Sequence, residues 1–350
     1  MMSQPFDLQT YLSQSTALIA SRPPKLQPDN LSPTNTRLMT LALSDHLPPF
    51  PSSSSSPSPV SSSSKADDDT ITTTKTLPQG HHLLYFPIQQ PNSQLSPDGT
   101  DPDHAPGAPF VRRMWAGASI SYSPEYRDAF VLDGRRVLCV ETVGRPVMKG
   151  GKVFVECRRQ YGVASAGAEQ DEVGKKLVKG EGVVMDEVRR LVFMREREEG
   201  EAQSDAPRRV VRGPGNPEYS FTMKPDAALL FQFSALTYNA HAIHLDAEYA
   251  KAVEGYPERL VHGPLTSVLM MEGLRRFVRR KEGKDANVKT FEYRNLAPLF
   301  VGRELKVCIK TLGSDAGETR YQLWIEGADG GLAVKGTATT FGGDKPVAKL

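Results

Sequence analysis

The sequence predicts an α+β fold made of two similar units, each a helix packed against an antiparallel sheet. Three observations predict it. Short runs of alternating or β-branched character recur in both halves, an apolar helical stretch precedes the second set of them, and a Gly/Pro-rich break from Ala206 to Ser220 separates the sets.

In chain order, residues 1–23 form an N-terminal segment and residues 24–205 the first unit. Within it, "SPTNTRLMTLALSDHL" reads as a short helix opened by Ser32 and Pro33, with an apolar pattern at Leu38, Leu41, Leu43 and Leu47. The Ser/Pro/Thr tract at 48–76 buries too little surface to offset its ordering entropy and is expected to be a disordered insertion. Strands are expected at His82–Phe86, Met114–Tyr122, Arg136–Val143, Lys152–Tyr161 and Glu187–Met194, with "YGVASAGAEQDEVGKKLVKGEG" as a loop. Beyond the linker at 206–220, the second unit (221–341) opens on the apolar "ALLFQFSAL" and passes through a polar turn. A helix follows over Gly263–Lys281, its first half apolar nearly all round, as a helix wrapped by a sheet would be. Four strand-like runs come next, "NVKTFEYRNLA", "ELKVCIKTLG", "RYQLWIEGA" and "GLAVKGTATTF", and residues 342–350 form a tail.

Composition excludes several functions. With 43 basic and 41 acidic residues spread along the chain, a net charge of +2 offers no electrostatic basis for holding nucleic acid. No run of about 18 apolar residues exists to span a membrane. The cysteines Cys139, Cys157 and Cys308 lie in strand-like segments without metal-ligand spacing, so they are expected as reduced core thiols, and neither a metal nor a cofactor is predicted. The first twenty-one residues contain no Lys or Arg, which argues against a basic transit peptide. The last three residues, Ala348, Lys349 and Leu350, are a conservative variant of the Ser-Lys-Leu peroxisomal address; the peroxisome is the expected location and the mitochondrion the alternative.

The chemistry concentrates in "TYNAHAIHLDAEYA". Asn239, His241 and His244 crowd a non-repetitive segment, and His262 directly precedes Gly263 and Pro264 at the start of the long helix. Free N–H groups there, with the positive end of the helix dipole, can polarise a carbonyl oxygen, and Gly263 lets a ligand approach the backbone. One imidazole beside one polarised carbonyl suffices for proton transfer next to an activated acyl group. Each residue also has a plain structural reading. A lone histidine is more often a satisfied hydrogen-bonding group, Gly263 and Pro264 can be helix punctuation, and His-x-x-His lacks a third metal ligand.

Together these residues resemble a known family. "FQFSALTYNAHAIHLDAEYA...EGYPERLVHGPLT", with "LPQGHHLLYFPIQQ", "PDGTDPDHAPGAPFVRRMWAGASI" and "FEYRNLAPLFVGREL", is similar to the MaoC-like hydratases and dehydratases, near the fungal hydroxyacyl-thioester dehydratase type 2 group and mesaconyl-CoA hydratase-like proteins. The resemblance implies a double hot-dog, two long helices each wrapped by an antiparallel sheet. It also implies a hydro-lyase that interconverts trans-2-enoyl and 3-hydroxyacyl thioesters of coenzyme A or acyl carrier protein. In the wider family an Asp and a His five residues later hold a water. That His falls on His244 and the Asp on Asn239, which cannot ionise. His244 therefore carries proton transfer alone or with His241, and Asn239 orients the water or the thioester. Gly263 is the carbonyl donor, and His262 shapes its turn. Asp246 can orient an imidazole or cap the next helix. Of Arg112 and Arg113, adjacent on a strand, at most one faces the groove; Arg113 and Trp115 are taken as substrate-binding and the other arginine as a solvated charge. The first unit holds no cluster resembling the Asn/His set and is expected to supply the acyl-chain pocket rather than catalysis. Arg275, Arg276, Arg279, Arg280 and Lys281 read as cations at a helix C-terminus, ahead of a coenzyme A phosphate site. An acyl-thioesterase and a non-catalytic acyl-thioester-binding subunit are the rival readings. Two hot-dog units can pair within one chain, so the sequence does not decide between a monomer and a homodimer.

Overall fold

The computed structural model of the chain describes residues 6–48, 75–165, 167–196, 210–283 and 286–341. Residues 49–74 of the predicted insertion, 206–209 of the linker, and the tail with Ala348–Leu350 lie outside the described residues.

Apolar and β-branched runs place β2 (Phe110–Tyr122), β3 (Arg136–Val143), β5 (Lys152–Val163) and β6 (Met185–Arg195) in the first half, where β1 (Lys25–Asn30) and β4 (Val147–Lys149), which lack such a run, form by pairing with β3 and β5. The second half holds β7 (Tyr219–Met223), β8 (Val288–Asn295), β9 (Leu305–Asp315), β10 (Glu318–Glu326) and β11 (Leu332–Thr340). All join one antiparallel sheet in the order β1-β3-β5-β6-β2-β8-β11-β10-β9-β7, with β4 on β5. Read from either edge to the seam, the two halves repeat one order. At the seam β2 pairs with β8, Gly117 facing Arg294 through Ser121 facing Thr290. Gly117 has φ 145°, and any side chain there would collide with the Tyr293 carbonyl, so the seam needs glycine. The pairing of two hot-dog units is thus met inside the chain.

Among the described residues are five helices of eight residues or more: α1 (Leu8–Ala20), α2 (Pro33–Ser44), α3 (Gln170–Val178), α4 (Ala227–Thr237) and α5 (Gly263–Glu282). Helix α5 opens with Pro264 in its first turn and closes on Gly283 at φ 69°, whose N–H bonds Arg279 O at 2.9 Å. Every residue from Leu265 to Leu274 is buried, because β2, β7, β9 and β10 wrap it.

Several expectations need correction. Only one of the two expected long helices is present among the described residues: where the second half has the 20-residue α5, the first has the 12-residue α2 and a 3-10 turn, His81–Leu84. That turn replaces the strand expected at His82–Phe86. His81 Nε2 meets Glu272 Oε1 on α5 at 3.3 Å, which anchors the turn, and the buried His82 lies 3.5 Å from Glu187 on β6. Helix α2 is found, capped by Ser32, but it buries Thr36, Met39 and Leu43, while Leu38 and Leu41 face solvent. The expected loop after Tyr161 contains α3, whose Val173 and Leu177 pack on Leu26, Leu138 and Val140 of the sheet. The apolar "ALLFQFSAL" is helix α4, capped by Asp226, and β7 takes the last two residues of the predicted linker. The three cysteines are buried and unpaired, and no described helix is long and apolar enough to cross a membrane.

Candidate active site

A cavity of about 500 Å³ lies between the halves, where the first has no long helix to fill its sheet. Asn239, His241, His244 and Gly263 line it from the second half, and Arg113 and Trp115 from the first.

Local chain geometry delivers the polar turn. Helix α4 ends on Tyr238 in the left-handed region (φ 51°), an uncommon conformation for a non-glycine residue, and this reverses the chain toward the cavity. Asn239 Oδ1 then accepts from His241 N at 3.0 Å, so the amide shapes the turn with its oxygen. His244 Nδ1 donates to Leu260 O at 2.8 Å, which fixes the tautomer and leaves Nε2 with a lone pair. Its ring stacks on His262 at 3.7 Å, 24° from parallel, and meets His241 edge-on at 5.4 Å. Burial pushes the His244 imidazole down to about 4 and holds His241 and His262 well below the usual range, so the cluster is neutral at physiological pH.

His262 is fully buried beneath His244, with Nε2 2.8 Å from Ser234 Oγ. It occupies the N-cap position of α5 without capping it. Pro264 has no N–H and Thr266 N donates to His262 O, so Gly263 and Leu265 keep the free N–H groups of the helix start. Of these two residues, only Gly263 borders the cavity. Trp115 braces that point: its Nε1 donates to Tyr293 OH at 2.8 Å, and its carbonyl accepts from Asn295 Nδ2 at 2.9 Å.

Asp246 is displaced from the chemistry. Its exposed carboxylate accepts from Glu248 N (2.8 Å) and Tyr249 N (3.0 Å), a cap on the next turn, and the Leu260 carbonyl orients His244 in its stead. Arg112 is not a solvated charge: its Nη2 lies 2.6 Å from Oε2 of the buried Glu254, tying β2 to the second half. Arg113 faces the cavity, bonds Asp101 O and lies over the Phe193 ring at 5.1 Å. Its buried Nε has no hydrogen-bond partner, and it has no ion pair among the described residues. On α5, Arg275 and Arg276 turn to Glu272 at 2.8 and 3.9 Å.

The first half, expected to supply the acyl-chain pocket rather than catalysis, also brings charged groups to the cavity. Glu141, His104, Arg159 and Arg189 line the cavity from β3, the loop before β2, β5 and β6. Burial opposes charge on His104, but Cys157 and Glu141, whose Oε1 is 2.8 Å away, outweigh it and push the imidazole up to about 10. Asp101, His104 and Glu141 group their ligand atoms within 4.8 Å, yet Lys25 Nζ occupies Asp101 at 2.9 Å and His104 bonds Glu141 directly, so the donors are already spent on one another. The sequence signal for this wall was the density of Asp and His in "PDGTDPDHAPG"; partners such as Glu141 and Arg159 carried none.

Comparison with known proteins identifies the family. The family model for hydroxyacyl-thioester dehydratase type 2 matches residues 80–301. A mesaconyl-C(4)-CoA hydratase of Chloroflexus aurantiacus is 33% identical over 274 residues, 77% of this chain and 86% of that protein. The mitochondrial hydroxyacyl-thioester dehydratase type 2 of Schizosaccharomyces pombe is 26% identical over 261 residues, 72% and 81% of the two chains. Among solved structures, a MaoC-like dehydratase of Phytophthora capsici superposes with TM-score 0.59 at 15% identity, covering 94% of this chain and 98% of that one, which shows the shared fold. The matched span, more than half of the chain, shows that this chain belongs to the hydroxyacyl-thioester dehydratase type 2 family.

Proposed function

We propose that the protein is a hydro-lyase that adds water reversibly across trans-2-enoyl thioesters, with His244 Nε2 as the proton-transfer atom. The observation that carries this reading is the His244 imidazole, its Nδ1 tied to Leu260 O, lining one cavity with the uncapped helix start at Gly263. In hydration, His244 takes a proton from water as oxygen bonds C3, and Gly263 N–H stabilises the enolate on the thioester oxygen. His244 then returns the proton to C2. Asn239, with its Oδ1 engaged by His241 N, presents its amide N–H groups to the water or the thioester. His262 supports the ring of His244 from below. Loss of crotonyl-CoA absorbance tests the reading; release of free thiol would mark a thioesterase, and binding without turnover a non-catalytic subunit.

The acyl group we propose is short and carries a carboxylate. Arg113 faces the cavity with a buried Nε that lacks a hydrogen-bond partner, and although Asp98 and Asp101 favour its charge, no carboxylate pairs with it among the described residues, so an incoming anion is the partner that Nε can take. The Chloroflexus relative, named for mesaconyl-C(4)-CoA, a dicarboxylic acid joined to coenzyme A at one end, supports this. Arg113→Leu is expected to cost about 10²-fold in kcat/KM on mesaconyl-CoA and only a few-fold on crotonyl-CoA, since a site built for a polar group strongly rejects its absence. Equal losses on both substrates would remove the carboxylate from the proposal. For location, two fungal relatives are named as mitochondrial, which supports that alternative over the peroxisomal reading of Ala348-Lys349-Leu350. A reporter fused to the last ten residues is expected to stay out of peroxisomes; punctate peroxisomal signal would reverse this.

A further inference from the structure

Asn239 leaves the second half without a carboxylate against the imidazoles of the site. One arrives from the other half. Asp98 Oδ2 lies 3.4 Å from His241 Nε2, with the two side chains 12% and 9% exposed. The backbone builds this approach. Ala242 N donates to Asp98 O at 2.9 Å, and Gly99 sits so close to the Ala240 carbonyl that any side chain there would collide. Asp98 Oδ1 is occupied by Thr100 N at 3.1 Å and by the Thr100 hydroxyl, which leaves Oδ2 for the imidazole. The loop's other end is held to the first half by Lys25, 2.9 Å from Asp101 and 2.8 Å from Asp103. A loop fastened at both ends thus carries one carboxylate across to one ring.

We propose that Asp98 is a positioning residue that acts through His241 on the water shared with His244, which deepens the hydro-lyase reading and rests on it. A proton on His241 Nε2, facing Asp98, leaves Nδ1 with a lone pair that accepts a hydrogen bond from the O–H of the water that is not transferred. His244 Nε2 removes the other proton as oxygen bonds C3, and that proton ends on C2. One O–H bond and the C2=C3 π bond are exchanged for a C–O and a C–H bond, with no further reactant. The carboxylate offsets the positive charge that develops on His244 beside the buried His241, the electrostatic part of a triad with its members drawn from two halves.

The test is Asp98→Asn, which keeps an oxygen for Thr100 and nearly the same volume while removing the charge. Its kcat on crotonyl-CoA is expected to fall by about 30-fold, with KM and melting temperature near those of the wild type. In a His241→Gln background the same substitution is expected to change kcat by less than about twofold, because its effect passes through that ring. A wild-type kcat in Asp98→Asn, full additivity with His241→Gln, or a kcat loss accompanied by equal losses in KM and melting temperature each overturns the proposal. If His244→Ala is inactive while Asp98→Asn is silent, only this inference fails. If His244→Ala is fully active, the hydro-lyase assignment beneath it fails.

Discussion

His244→Ala is expected to lower kcat for enoyl-thioester hydration by roughly 10³-fold while KM stays within a few-fold. The reason lies in where the ring's atoms are committed. Nδ1 is bound to Leu260 O, so the variant loses the base at Nε2. His262 lies fully buried behind the ring, with Nε2 engaged by Ser234. The variant opens space against His262 and costs some packing, so thermal melting should accompany the kinetics. Burial holds the His244 pKa near 4, so the wild-type base is deprotonated above about pH 5, and activity falls only as pH drops toward that value. A variant retaining wild-type kcat would move proton transfer elsewhere in the cavity.

Gly263→Ala is expected to cost about 10²-fold in kcat/KM. The added Cβ would stand 2.7 Å from Asn295 Nδ2 and 2.8 Å from Trp115 Cβ. Neither neighbour yields easily: Asn295 donates to the Trp115 carbonyl and Trp115 to Tyr293 OH. The helix start must therefore move, and with it the N–H aimed at the thioester oxygen. Gly263 has no left-handed φ to lose, so the variant folds, with overpacking of roughly 1–3 kcal/mol seen as a lower melting temperature. A stable Gly263→Ala enzyme of unchanged kcat/KM would mean that the oxyanion is stabilised by another donor.

How far the sequence carried these conclusions depended on the range of the interaction. Helix α5 was legible because its Pro264 start, its Gly283 stop and its apolar face are all local. The strands β3 and β9 to β11 were legible because their runs of β-branched, aromatic and other apolar residues are local as well. Helix α3 was not, because its nine residues bury only one side against Leu138 and Val140, and that contact is invisible in the segment itself. The turn at His81–Leu84 was misread as strand for the same reason, since Glu272 anchors His81 from far along the chain.

The site divides in the same way. Asn239, His241 and His244 lie within six residues, so the sequence by itself brought them to one turn and, with Gly263 at a helix start, determined the class of chemistry. Tertiary structure decided what surrounds them: Asp98 beside His241, Arg113 in the cavity wall with its Nε unpartnered, Asp246 turned away to cap, and charged groups of the first half along the cavity. Chain-local geometry follows from bonded neighbours and hydrogen-bond reach. The field at a reacting atom sums over charges placed by the sheet seam, and positions more than a hundred residues apart in the chain meet only once β2 and β8 have paired.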